Sequence, residues 1–326
     1  MKPQKIEISA KTIIFTVLFI LSLGLLWQIR ELIFSLFIAF IIAGALKPGV
    51  AFLETIRLPR AIASFIIYLL FIFIIYSIFS VIIPPLLSEM IFLSKNLPKI
   101  TESILPHFGI AFNFDLLTQN IPTIANQTLG FVKGIFSNVV FVTSTLFFGF
   151  YFLLEKNLED KLLCNFFEEI EIKKIEVVSN RAQKRMSSWF WGEVILMIVV
   201  GTMTYVGLNI IGMKYVLALA VLAGLLEVIP SLGPITSSIP AILIGLSYSP
   251  ILGLYCAILY IVVQQLENNL LVPLVMKKVT GLHPIVTLVA MVIGGKLAGI
   301  MGVLLAVPST MFIETILIES QKFSKK

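Results

Sequence analysis

Four places in the C-terminal half of the chain put polar or charged groups beside residues that break helices. Glu227 lies three residues before Pro230, within one turn of a helix end. An ionised carboxylate in lipid costs about 2.5 kcal/mol or more even on lenient scales, so Glu227 must face protein, water or the interface. The second place is the run Gln264-Gln265-Leu266-Glu267-Asn268-Asn269. Gln264, Glu267 and Asn268 fall at i, i+3 and i+4 and share one helix face. That face suits a polar solute path or a cation site, or serves as helix–helix glue. The third is Lys296, set among Gly294, Gly295 and Gly299. Glycines allow close backbone approach, and the lysine there has three uses: a pair with Glu267 or Glu227, an anionic partner, or snorkelling at the outer interface. The fourth is Pro230-Ser231-Leu232-Gly233-Pro234. Such a break frees backbone carbonyls and amides to line a solute path, as in discontinuous transporter helices, or simply kinks the chain.

Enzymatic chemistry has little to work with. The only histidines are His107 and His283, and the only cysteines are Cys164 and Cys256. No metal spacing or disulfide framework follows from them, and the zinc-protease pattern H-E-x-x-H is missing. Ser231 and His283 make a poor serine dyad, because Ser231 sits in a loop between Pro230 and Leu232. There is no P-loop and no nucleotide fingerprint, so transport by this chain alone is not ATP-driven. The reading is a protein with no catalytic residues, no metal, no cofactor and no nucleic-acid partner.

The elements that must position these groups are membrane helices. Of 326 residues, 58% are hydrophobic and 13% charged, against about 25% charged in soluble domains. Mean hydropathy is +1.03. The apolar residues form long unbroken runs, which excludes a β-barrel. The fold class is therefore all-α: a polytopic helical membrane protein of about eight membrane segments, some broken or re-entrant, with a small extramembrane helical cap.

Residues 1–83 hold three N-terminal membrane helices, about 12–29, 32–46 and 61–83, with Pro48-Gly49, Pro59 and Pro84-Pro85 as breakers. Residues 84–133 read as the extramembrane cap, on the periplasmic or extracellular side, and 134–154 as a further span. Residues 155–193 read as a cytoplasmic amphipathic helix; 155–185 alone hold fourteen of the chain's 42 charged residues, seven of each sign. Residues 194–318 form the C-terminal transport core, and 319–326 a cytoplasmic tail. Within the core the stretch 284–318 is too long for one span and is broken at Gly294-Gly295-Lys296 and Gly299. A twelve-residue arm cannot cross about 30 Å of hydrocarbon at 1.5 Å per residue. Such arms fit re-entrant hairpins shielded by protein. The net charge of +6 is explained by basic residues at cytoplasmic helix ends. Lys2, Lys5 and Lys11 place the N-terminus inside, and Lys322, Lys325 and Lys326 the C-terminus. The first span reads as an uncleaved insertion signal.

At this point four motifs carry a resemblance. Glu227-Val228-Ile229-Pro230-Ser231-Leu232-Gly233-Pro234 resembles the E-x-I-P-x-[IL]-G-P element of the autoinducer-2 exporter (AI-2E) family of permeases. The run Gln264-Gln265-Leu266-Glu267 through to Pro273 is similar to its Q-x-x-E-x-x-x-x-x-P element. Leu282-His283-Pro284 matches its L-H-P step. Gly294-Gly295, Gly299 and Gly302 with Ala306-Val307-Pro308 match its closing pattern. The resemblance implies a multi-pass permease of the bacterial inner membrane that forms homo-oligomers. Some members are linked to export of a small polar signal, others to sodium/proton exchange. Where an aromatic often follows the first proline, this chain has Ser231.

The expected function is thus secondary export of a small polar, autoinducer-2-like solute without ATP. Sodium/proton antiport, with Glu227 and Glu267 as carriers, is the alternative. An oligomeric scaffold or passive pore is the third. The expected partners are the solute, sodium or protons, the lipid bilayer and further copies of the chain. The path or coupling residues are Glu227, Pro230, Ser231, Gly233, Pro234, Gln264, Gln265, Glu267, Asn268, Asn269, Pro273, Gly294, Gly295, Lys296 and Gly299.

Overall fold

The computed structural model describes residues 10–108, 139–156, 161, 164, 168–229, 233–276 and 281–324. Among these the protein is helical, without strands. Six helices are long and apolar enough to cross a membrane, and two shorter apolar helices accompany them. At most a third of each long apolar window is buried inside the molecule. The rest is an outer surface of exposed Phe, Ile, Leu and Val, far beyond what a water-facing protein carries. This is a polytopic helical membrane protein.

The N-terminal half holds α1 (Ala10–Gln28), α2 (Arg30–Thr55), α3 (Arg60–Phe108) and α4 (Val139–Leu154). Only Ile29 separates α1 from α2, as expected for a hairpin with almost no loop. α1 barely touches the rest, whereas α2, α3 and α4 pack around Ala43, Val50, Ala63, Tyr68 and Leu153. The Arg60 guanidinium donates to the carbonyls of Leu153 and Leu154 at 2.8 Å and so caps α4. Two expected breakers do not break. α2 continues through Pro48 to Thr55, and α3 continues through Pro84 and Pro85 to Phe108. Proline deletes one ladder bond and crowds the carbonyl four residues back, and the ladder bonds of the neighbouring turns carry each helix past it. The later part of the expected cap, 109–133, lies outside the described residues, as do 134–138 of the span expected after it.

The C-terminal half is built on α5 (Glu169–Ile211), a helix of 43 residues and about 64 Å. The charged segment and the following span are one continuous helix rather than two. α5 ends at Gly212, whose φ of 76° is the left-handed cap that glycine adopts freely. Next come α6 (Val216–Leu226), α7 (Gly233–Tyr248) and α8 (Pro250–Leu266). A π-helical turn, Glu267–Leu271, leads into α9 (Val272–Met276), and α10 (Pro284–Ser324) closes the chain. α7 and α8 form a hairpin whose turn is capped by the Ser249 hydroxyl, which accepts from the Leu252 N–H at 3.1 Å. At about 24 Å, α7 is shorter than the hydrocarbon core.

α10 breaks where its glycines predict. Ala298 and Gly299 leave the helical region, Gly299 at φ 59° and ψ −139°. The chain folds back there, bringing the Gly294 backbone onto that of Gly302 with no room for a side chain at either. The second arm is fastened to the charged half of α5. Arg185 reaches Glu314 at 2.6 Å and Thr315 at 2.9 Å, and Arg181 pairs with Glu319, which Lys322 also meets at 2.8 Å.

Candidate functional site

Small residues set the geometry of the site. α5 and α6 run antiparallel with their backbones in contact. A Cβ on Gly224 would lie 2.5 Å from the Met197 carbonyl, and one on Gly201 would lie 3.2 Å from that of Ala220. This is small-residue packing of the membrane kind, where close backbone approach replaces hydrophobic driving force. One turn beyond that contact along each helix sit Glu193 on α5 and Glu227 at the end of α6. Gly233, at the start of α7, approaches equally closely. A Cβ there would meet the Leu226 carbonyl at 2.6 Å and the Glu227 Cα at 2.7 Å. Glu227 is thereby locked between two helix ends.

From the other side comes Glu267, the first residue of the π turn. A π turn rotates the residues after it relative to an α-helix, and such turns recur at functional sites. Here Glu267 points inward and is fully buried, while Asn268 and Asn269 are exposed. The Glu227 and Glu267 carboxyls come within hydrogen-bonding reach of each other. Two carboxyl groups can bond in this way only through a proton. The half-buried Gln264 amide donates to Oε2 of Glu267 at 3.5 Å. Oε2 of Glu227, Oε1 of Glu267 and Oε1 of Gln264 have no hydrogen-bond partner within the protein. Glu227 is 1% exposed and Glu267 0%.

The structure thus joins Glu227, Gly233, Pro234, Gln264 and Glu267 at one place in the C-terminal bundle. Other expected site residues lie elsewhere. Asn268 does not share the inward face with Glu267, because the π turn carries it outward. Gln265 and Asn269 are exposed and bond to each other at 3.0 Å. Pro273 is exposed on α9. Gly294, Gly295 and Gly299 shape the α10 hairpin. Lys296 is exposed at its tip and takes part in neither carboxyl's interactions. Pro230 and Ser231 lie outside the described residues. Glu193, the last residue of the expected charged segment 155–193, is not among the site residues expected from the sequence. The signal was there: a carboxylate inside Trp189-Phe190-Trp191-Gly192-Glu193-Val194, already in apolar surroundings.

A groove of about 470 Å³ lies outside this site, between Ile198, Thr202 and Val206 of α5 and Leu259 and Val262 of α8. Its lining is almost wholly apolar, as suits a surface turned to lipid.

Comparison with known proteins places this architecture. The family described as AI-2E family transporter matches residues 13–322. YueF of Bacillus subtilis (strain 168) is 29% identical over 306 residues, covering 86% of this chain and 82% of its own. PerM of Escherichia coli (strain K12) is 24% identical over 331 residues, covering 94% and 92%. The AI-2 transport protein TqsA of the same organism is 25% identical over 300 residues, covering 87% and 85%.

Proposed function

The chain belongs to the AI-2E transporter family, and we propose that it is a secondary exporter of a small polar solute, coupled to protons through Glu227 and Glu267. The observation that carries this reading is the carboxyl pair itself. Two acidic side chains are buried in apolar surroundings, in contact with each other, with no basic residue among the described groups that act on them. Holding two such groups ionised costs several kcal/mol each. A protein bears that arrangement when the groups take up and release charge during work. Gln264 supplies hydrogen bonding beside the pair, and the tight joint at Gly233 and Pro234 ties the carboxyls to the position of α7. A solute exchanging for protons at this joint needs no nucleotide.

The name of TqsA, an AI-2 transport protein, supports autoinducer-2 or a molecule of similar size and polarity as the first solute to test. The basic residues near both chain ends support an inner-membrane protein with cytoplasmic termini. The long exposed apolar flank of α1 supports assembly of several copies side by side.

The test is flux into proteoliposomes holding purified full-length protein, with Glu267→Gln beside wild type. Internal pH, internal sodium and labelled autoinducer-2 are followed separately. Solute movement with a matching proton movement, both lost in Glu267→Gln, is the expected result. A sodium-for-proton response without solute makes the protein an antiporter. Solute flux that is indifferent to the pH gradient and to Glu267→Gln removes the coupling role and leaves a passive pore.

A further inference from the structure

A third buried carboxyl faces the pair from a different helix. Glu193 on α5 is 3% exposed, and neither of its oxygens has a hydrogen-bond partner within the protein. Its electrostatic neighbours are Glu267 and Glu227, both of the same sign. α8 packs against α5 and carries Tyr255, Cys256 and Tyr260 but no charged side chain. α6 brings Glu227, and the π turn brings Glu267. α2 brings Lys47, whose ammonium is bound to Gln183 at 2.5 Å, ten residues along α5 from Glu193. α10 brings Glu314 and Glu319, which are held by Arg185 and Arg181. α9 carries no titratable group and lays Val275 and Met276 against Gly192.

Among the described residues such a carboxylate has no counter-charge and no donor, and it is buried from water, so its negative charge has to be cancelled by something that arrives and leaves. Among the described residues, no three carboxyl, thiol or imidazole groups converge closely enough to cage a metal ion. The small neutralising species that needs no cage is the proton. We infer that Glu193 is a third proton-carrying carboxyl of the transport site, facing the Glu227–Glu267 pair just beyond the α5–α6 glycine contact.

This rests on reading that pair as the coupling site, and it adds a consequence. Protons on three carboxyls contributed by α5, α6 and the π turn would cancel charges that otherwise repel. Loading would draw these elements together, and release would push them apart. Glu193 is then a coupling residue in its own right, and the cycle moves more than one proton.

The experiment is infrared difference spectroscopy of the full-length protein in lipid nanodiscs, comparing acidic with alkaline buffer. The protonated-carboxyl stretch is recorded for wild type, Glu193→Gln, Glu193→Asp and Glu267→Gln. Subtracting the Glu193→Gln spectrum from that of wild type should leave a buried-carboxyl band about equal in area to the one that Glu267→Gln removes, one titrating group each. Glu193→Asp should restore the band. Its absence from the subtraction would overturn the proposal, since Glu193 would then stay in one state throughout. So would a band in wild type that sodium chloride, replacing choline chloride at constant pH, abolishes; the charge taken up would then be an alkali cation. Glu193→Gln is nearly isosteric, and retention of its oligomer peak on size exclusion guards against misfolding. The spectrum does not require flux. Silent proteoliposomes would sink the transport reading while leaving the titration of Glu193 measurable.

Discussion

At the scale of single residues, the site depends on side chains that are not there. Gly224 and Gly201 let two helix backbones touch, and that contact sets where Glu193 and Glu227 meet. The two glycines are not equivalent. A methyl group on Gly224 would meet a backbone carbonyl at 2.5 Å, one on Gly201 at 3.2 Å. Backbone cannot move aside as a flexible side chain can, so overpacking at Gly224 separates the helices. Gly224→Ala is expected to destabilise the protein by about 1–3 kcal/mol and to lower solute flux, while Gly201→Ala has a smaller effect on both. Thermal unfolding in detergent together with proteoliposome flux checks this. Equal behaviour of the two variants would mean that the α5–α6 contact does not position the carboxyls. The tight spacing also explains why Glu193 was hard to see in the sequence. Its neighbours lie 34 and 74 positions away, and a hydropathy profile reports how each residue is solvated, not which residue from another helix arrives beside it.

At the scale of elements, the sequence was most legible where glycine and proline dictate backbone shape and least where packing overrides them. Gly294, Gly295 and Gly299 announced the fold-back in α10, and Gly212 the end of α5. The prolines at 48, 84 and 85 announced ends that do not occur, because a missing ladder bond does not end a helix whose neighbouring turns stay intact. The π turn at Glu267 left no sign in the spacing. Under ideal helical geometry Asn268 shares a face with Gln264, and only the wider turn sends it outward. The α10 break offers a direct measurement. A φ of 59° with ψ of −139° belongs to glycine almost alone. Gly299→Ala should therefore cost about 1–3 kcal/mol, read as a lowered unfolding midpoint. Gly24→Ala is the control, because Gly24 lies within α1 with nothing within 4 Å of the added methyl. There the substitution should be neutral or slightly stabilising, since alanine favours the helix more than glycine. If Gly299→Ala behaves like that control, the second arm of α10 is not held by this backbone conformation.

At the scale of the whole molecule, orientation in the bilayer decides which aqueous phase the carboxyl site exchanges with. The charge distribution supports the proposal that both termini and the segment before α5 lie on the cytoplasmic side. Arg181 and Arg185 are already bound to the second arm of α10, so this end of α5 is occupied by the molecule's own ion pairs, which weighs against its being a recruitment surface for partners. The two cysteines make the orientation measurable without adding any residue. Cys164 is exposed in the segment between α4 and α5, whereas Cys256 is buried in the core with Leu208, Leu219 and Tyr260. A membrane-impermeant maleimide should therefore label one thiol in inside-out vesicles and none in intact spheroplasts. Cys164→Ser should abolish the label, and Cys256→Ser should leave it. Labelling from the outer face of spheroplasts would invert the assignment. It would place the α5–α10 ion pairs on the far side of the membrane and reverse which aqueous phase each end of the Glu193, Glu227 and Glu267 site faces.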